Sequence, residues 1–472
     1  MEAQHAEELS RAELLALVGE LRAKLAAALA RIAELETELA KARKNSRNSS
    51  KPPSSDIIKP PPAGPIAGRR HIGAQPGHQR HERQPFPPEQ VDRREDHKPG
   101  ACPDCGGSVC CAAEPALVQQ QVEWVEKPYI VVEHRAWNGR CTKCGREVYA
   151  SLRPEVERAG LFGPRLTAHV TWLKLRGHVS YTGIQEYLED ACGLRVSRGY
   201  LDKVLQKTAA GLRAVWAELH GALRDQPVLN VDETGHPEAG QHRWTWVFRA
   251  PLFTVFLIAT SRGSKVLVRT LGKAFAGILC ADYFSAYRKY MGEHNVLVQF
   301  CLAHFIRDAR FLAELADPVT RRYGRQVVQR LRQMFRVIHW RERYATPEIF
   351  QRALGRARDR LRETVLGAPQ RREAQNLAER FRKHGAAYLL FVTTPGPEPT
   401  NNLAEQALRF VVLDRRITQG TRTVKGRTAR ETLWTIAATC RQQGRSLYRY
   451  LVDAVSALFS QQSLPSLMPA GP

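Results

Sequence analysis

The sequence predicts an α/β chain: a mixed sheet with flanking helices and a helical insertion, behind a separate N-terminal region. Three observations lead there. From Pro227 the apolar pattern takes a period of two and β-branched residues dominate, in PVLNVDET, HRWTWVFRA, TVFLIAT, GILCADYFSAY and NVLVQFCLAHF, five strand-length segments in close succession. From Arg307 to Lys383 the periodicity turns helical, with 19 Arg and one Lys against nine Asp or Glu, a block with net charge +11. A last helical region begins near Asn401, is interrupted by GTRTVKGRT and ends in a polar tail.

At 472 residues the chain has room for about three domains at the usual ~150 residues each. Lys and Arg number 71 against 47 Asp and Glu, a formal +24, which is more than solubility requires and points to a polyanionic partner. Nucleic acid is favoured over a membrane, because no run of 18 apolar residues exists and the longest apolar stretch, near Thr254, is strand-sized. Glu2, Glu7 and Glu8 do not fit a secretory signal, so cytosolic residence is expected. Ten cysteines are too few for a disulfide scaffold, and four of them fall in two Cys-x-x-Cys pairs, which in a reducing compartment suggests metal.

Residues 1–43 read as a coiled-coil helix. Val18, Leu25, Ile32 and Leu39 recur at a positions with Leu14, Leu21, Ala28 and Leu35 at d, so self-association is expected. Residues 44–100, including NSRNSSKPPSSDIIKPPPAGP, are a basic Pro- and Ser-rich linker that cannot form a packed core. Residues 101–150 hold CPDCGG and CTKCGR, so Cys102, Cys105, Cys141 and Cys144 are expected to bind one structural zinc as a ribbon. Residues 151–226 are helical. There YTGIQEYLEDACGLRVSRGYLDKVLQ reads as helix, turn at Gly193 and a second helix capped by Ser197, with Arg195 and Arg198 inclined toward DNA, although a plain structural helix pair fits equally well. Residues 227–432 form the sheet domain with its insertion at about 307–395, and 433–472 a C-terminal helix and tail.

The chemistry concentrates at strand ends. Asp232 follows the apolar run VLNV and Asp282 follows GILCA, and an acid at the end of a buried strand is costly unless a cation or hydrogen bonds accompany it. Glu405, in PEPTNNLAEQALRF, is a third candidate. With Asn402 as N-cap it would sit at N3 of a capping box, and spacing alone divides evenly between that role and a metal ligand. Three clustered carboxylates suit two magnesium or manganese ions, hard cations that take oxygen ligands and promote phosphoryl transfer without a protein nucleophile. No GxxxxGK[ST] loop is present, so ATP dependence is not expected. Cys301 and His304 stand at the edge of this candidate site or simply pack. Trp244 and Trp246 read as core. Arg409, Arg415, Arg416, Arg422, Lys425 and Arg427 follow Glu405 and would hold backbone phosphates, or form a solvated face.

These residues resemble a family, the insertion sequence 66 transposases, mobile-element enzymes of the DDE class. NSSKPPSSD, GAQPGH, the paired CxxC knuckles, VDET, ADYFSAY, CLAH and NNLAEQALR occur in that family's order over nearly the whole chain. The resemblance implies a ribonuclease H-like catalytic domain with Asp232, Asp282 and Glu405 as the triad, and the 122 residues between the last two as its helical insertion. It implies double-stranded DNA as partner, both the element's terminal inverted repeats and the target, in the bacterial cytoplasm at the nucleoid. ADYFSAY departs from the usual Asp-Gly-Tyr form and Gln406 stands where arginine is frequent, which leaves the subgroup open and with it the need for small accessory transposition proteins. The alternatives are a non-catalytic DNA-binding protein, such as a repressor or a decayed transposase, and a structure-specific nuclease that shares the carboxylates but does not join strands.

Overall fold

A computed structural model describes residues 10–42, 44, 85–97 and 103–468, except 109, 112, 116, 123, 126 and 145; the side chain of Ala33 is also left out. Most of the expected linker, and Cys102, lie outside the described residues. Helix α1 (Arg11–Ala42) opens on a capping box: Ser10 N–H donates to the Glu13 carboxylate (2.8 Å), and Glu13 N–H donates back to the Ser10 hydroxyl (3.4 Å). Its leucine stripe is exposed throughout, from Leu14 to Leu39. Its C-terminal end meets the rest of the chain through Ala40 on the core and Lys41 on Glu373 at 3.1 Å.

The second Cys-x-x-Cys forms the tip of a short antiparallel hairpin, β1 (Asn138–Arg140) with β2 (Glu147–Tyr149). Five helices follow: α2 (Pro154–Ala159), α3 (Pro164–Leu175), α4 (Tyr181–Asp190), α5 (Arg198–Gly211) and α6 (Arg213–Gly221). Between α4 and α5, Gly193 takes φ +65° and its N–H bonds to Glu189 O, closing α4 with a left-handed glycine cap of the αL type, and Leu194 N–H reaches back to Leu188 O. Ser197 then caps α5 by accepting from Tyr200 N–H (3.1 Å). The helix, turn and cap fall where the sequence puts them. A small core of Phe162, Val170, Ile184, Leu188, Leu201 and Leu205 holds this unit.

The central sheet comprises β3 (Val228–Glu238), β4 (Gln241–Arg249), β5 (Thr254–Ala259), β6 (Ile278–Ala281) and β7 (Leu297–Phe300), in the order β5-β4-β3-β6-β7. The first three strands form an antiparallel meander. Its hairpin turn, Ala239–Gly240, has positive φ at both residues, the geometry that matches strand twist. Strands β6 and β7 are parallel to β3, reached through α7 (Ser264–Leu271) and α8 (Ser285–His294). After β7 the chain forms a helical insertion, α9 (Leu302–Glu314), α10 (Pro318–His339), α11 (Pro347–Leu366), α12 (Arg372–Tyr388) and α13 (Leu390–Thr393), before returning to the sheet as α14 (Asn402–Thr418), α15 (Val424–Gln442) and α16 (Leu447–Ser460). A single buried cluster runs through sheet, insertion and returning helices. Trp246 is fully buried in it and Trp244 packs at its border.

Helix α15 crosses residue 432, where the sequence suggested a boundary, because its polar face closes the sheet. Glu431, Thr435 and Thr439, one turn apart, accept hydrogen bonds from the edge-strand N–H groups of Ile258 (2.8 Å), Phe256 (2.9 Å) and Thr254 (3.2 Å). An open strand edge is thereby satisfied by side chains instead of another strand. Thr435→Val keeps the shape and leaves the buried Phe256 amide unpaired, so unfolding in urea is expected to show a loss of about 1–3 kcal/mol; unchanged stability would mean the ladder adds nothing to the sheet.

Candidate active site

The site forms where β3 and β6 end side by side. Their parallel register pairs Val228, Leu229 and Asn230 with Ile278, Leu279 and Cys280, and the same offset carried two residues further sets Asp232 beside Asp282. Asp232 accepts Glu233 N–H (2.8 Å) and Asp282 accepts Phe284 N–H (2.9 Å); both are half-buried. Burial lifts the Asp232 carboxyl well above the usual carboxylate range, and Glu233, Asp282 and Glu405 add to the rise. The charges acting on it most are thus all acidic. Burial also raises Asp282, opposed by the Phe284 amide and Arg262.

Glu405 reaches the same place from α14, and Asn401 determines how. Its side-chain N–H donates to Val231 O (2.8 Å), its amide oxygen accepts from Asn230 (3.0 Å), and its backbone N–H donates to Cys301 Sγ (3.2 Å). The capping-box alternative is corrected here: the helix starts one residue earlier than expected, with Asn401 at the N-cap, and the Asn401 side chain bonds to β3 and makes no cap bond. Glu405 is thus not engaged in a capping box. Its Oε1 is buried and makes no hydrogen bond, while His304 Nδ1 lies 3.9 Å from it and Arg307 3.8 Å from the other oxygen.

Two other acids near the site are already engaged. Glu233, on the opposite face of β3, takes the Tyr287 hydroxyl and Arg262 (2.6 Å), and Asp308 pairs with Arg380 (2.8 Å). Asp232 and Asp282 therefore close adjacent strands, and Glu405 lies near enough to act on the Asp232 charge. They do not close into a single-ion set. Among the described residues, the one trio whose ligand atoms all lie within 4.8 Å of one another is Cys301, His304 and Glu405. Burial pushes the Cys301 thiol up to about 11 and, with Arg307 and Arg380, drops His304 to about 4.

More than half of the chain, residues 159–429, matches the family model described as Transposase IS66 family. The chain belongs to the IS66 transposase family. Residues 1–84 match a second model, a family of unknown function (DUF6444). No curated protein matches the chain. Membership makes DNA transposition the business of this chain and DNA its partner, and among the described residues no helix is long and apolar enough to cross a membrane.

Within this family member the basic residues separate into two groups. Arg409, Arg416, Arg422 and Lys425 are exposed around α14 and the start of α15, as are Arg195 and Arg198 at the turn before α5, with Arg195 paired to Glu189 (2.9 Å). Arg427 differs from the sequence expectation of a free phosphate contact, because it bonds to buried Glu238 (2.9 Å) and ties α15 to β3. Arg415 is half-buried against the Thr234 hydroxyl (3.3 Å), two residues along β3 from Asp232. Sequence reasoning missed Arg262 and Arg307, which act on acids remote in the chain, and Asn401, which ties the start of α14 to β3. Of the four cysteines expected to bind zinc, Cys102 lies outside the described residues, and the described Cys105 does not join Cys141 and Cys144 in a three-ligand set. The hairpin tip nonetheless suits metal: amides of Cys144 and Lys143 lower the Cys141 thiol toward the thiolate.

Proposed function

We propose that this chain is a DDE-class transposase with a ribonuclease H-like catalytic domain, in which Asp232, Asp282 and Glu405 hold two magnesium or manganese ions and DNA strands are cut and joined. One observation carries the reading: the charges that act most on Asp232 are all carboxylates, with Asp282 beside it and Glu405 close enough to add to the repulsion, an arrangement that a shared divalent cation relieves. A DNA-binding protein without catalysis would have no use for it. The sheet order, a three-stranded meander followed by two parallel strands, supports the fold assignment.

When bound, the ions lower the pKa of an attacking water or hydroxyl and neutralise charge on the leaving oxygen. Asp232 and Asp282 set the common position from adjacent strand ends, and Glu405, oriented by Asn401, completes the cluster from α14. Arg415 faces the same stretch of β3 and holds a backbone phosphate, with Arg409, Arg416, Arg422 and Lys425 along the flanking duplex. Water is the first nucleophile and frees a 3′-hydroxyl, which then attacks a target phosphodiester and displaces the 3′-oxygen of the cut target strand. The α4–α5 pair and a zinc ribbon of Cys102, Cys105, Cys141 and Cys144 recognise the terminal inverted repeats, and α1 pairs protomers through its exposed a and d residues. The work takes place in the bacterial cytoplasm at the nucleoid.

The test is a cleavage and joining assay on duplexes bearing the element's ends, with magnesium, with manganese and with chelator. Metal-dependent nicks and joined products support the reading. End binding without either product would leave a DNA-binding protein, and nicks without joining a nuclease.

A further inference from the structure

From the Cys301–His304–Glu405 trio we infer that the chain carries a second kind of metal site, one for a thiophilic divalent ion of the zinc class, which takes Glu405 as a shared ligand. Three features lead to it. The Cys301 sulfur, the His304 ring nitrogen and a Glu405 oxygen lie within 4.8 Å of one another on the rigid starts of α9 and α14. Two of those three atoms, His304 Nδ1 and Glu405 Oε1, are buried, face each other at 3.9 Å and have no hydrogen-bond partner. Such paired orphans are costly in a fold unless something occupies the space between them.

The third feature is an internal parallel. At the N-terminal hairpin, the Cys141 sulfur receives the amides of the residues two and three further on, Lys143 and Cys144. Cys301 receives the amides of Ala303 and His304 at the same two offsets, and that of Asn401 as well. The two Cys-led turns thus share the pattern of amides directed at the sulfur, while burial holds the Cys301 thiol high, so at this turn the sulfur calls for a cation beside it.

The donor set selects the ion. Sulfur and imidazole suit zinc-class metals and not magnesium, and three protein ligands leave a fourth position for water. The neighbouring cations do not fill the place: Arg380 is paired with Asp308, and Arg307 stands at the far oxygen of Glu405. A thiolate, a neutral imidazole and a carboxylate together balance the charge of one divalent ion. Because Glu405 cannot serve both centres in one geometry, zinc loading opposes the cutting reaction; this last consequence rests on the function proposed above, whereas the binding site does not.

The experiment titrates the metal-free full-length protein with cobalt(II), reading the sulfur-to-cobalt absorption band and the metal bound per chain, with circular dichroism as a check on folding. The parallel runs use Cys301→Ser, His304→Ala, Glu405→Gln and Asp232→Asn. The wild type is expected to bind one thiolate-ligated ion more than Cys301→Ser, displaceable by zinc, while His304→Ala and Glu405→Gln weaken that ion by about tenfold or more and Asp232→Asn leaves it in place. Equal bands and equal bound metal in wild type and folded Cys301→Ser would overturn the site, as would unchanged affinity in both His304→Ala and Glu405→Gln. A cobalt band that survives in an Asp232→Asn variant still competent for joining would sink the catalytic reading and leave the metal site standing.

Discussion

Asp232→Asn is expected to abolish DNA cutting and joining while leaving the fold as stable as before, or more so. The two effects have one cause. In the folded chain burial penalises the Asp232 charge most, and Glu233, Asp282 and Glu405 repel it as well. Asn keeps the shape and can still accept the Glu233 amide, but it removes the repulsion, so the melting temperature in chelator should hold or rise. The activity loss follows from the loss of an anionic ligand: charge stabilisation by a bound metal is worth several kcal/mol, so roughly 10³-fold or more should disappear from the rate. Asp282→Asn should behave alike, with a smaller gain in stability because Arg262 already offsets part of its charge. An Asp232→Asn protein that still joins strands would remove this residue from the site, and one that fails to fold would make its carboxylate structural.

Asn401→Ala is expected to cost both stability and rate, by a different route. The side chain is 2% exposed and joins α14 to β3 through Asn230 and the Val231 carbonyl. Truncation leaves two buried polar groups unpaired, about 2–6 kcal/mol at the usual cost of each. It also releases the start of the helix that aims Glu405, and a displacement of about 1 Å at a reacting centre can cost on the order of 10²-fold. The joining rate, measured where the variant is still fully folded by circular dichroism, should therefore fall by about that factor, while end binding through the α4–α5 unit stays near wild type. A full rate in a folded, destabilised variant would show that Asn401 is a fold residue only.

Much of this architecture was legible because it is local. Five strands, their helical insertion, the Gly193 turn and the Ser197 cap all follow from periodicity and turn chemistry, and the strand-end positions of Asp232 and Asp282 follow from each acid closing an apolar run. The parts that escaped depend on residues far apart in the chain. Nothing near Asn401 announces that Asn230 and Cys301 lie against it, so its neighbour Asn402 looked the better cap and a capping box looked a fair reading of Glu405. Arg427 looked like one more phosphate contact because Glu238, its partner, is buried by the same packing that brings α15 to the sheet. Helix α15 runs through residue 432 for a similar reason: Glu431, Thr435 and Thr439 supply the acceptors of a strand edge that lies far away in the sequence. Cys301 and His304 gave only a short spacing, and it is α14 that supplies the third ligand.

The central claim is that Asp232, Asp282 and Glu405 hold metal jointly. Ferrous iron can replace magnesium and, with ascorbate and peroxide, generates hydroxyl radicals that cut the backbone beside the ions' ligands. Mapping those cuts on the full-length protein should give fragments ending near residues 232, 282 and 405, suppressed together by excess magnesium and lost together in Asp282→Asn. Cuts confined to the Cys141–Cys144 hairpin and the Cys301–His304 turn, or cuts near residue 232 that persist in Asp282→Asn, would contradict the account.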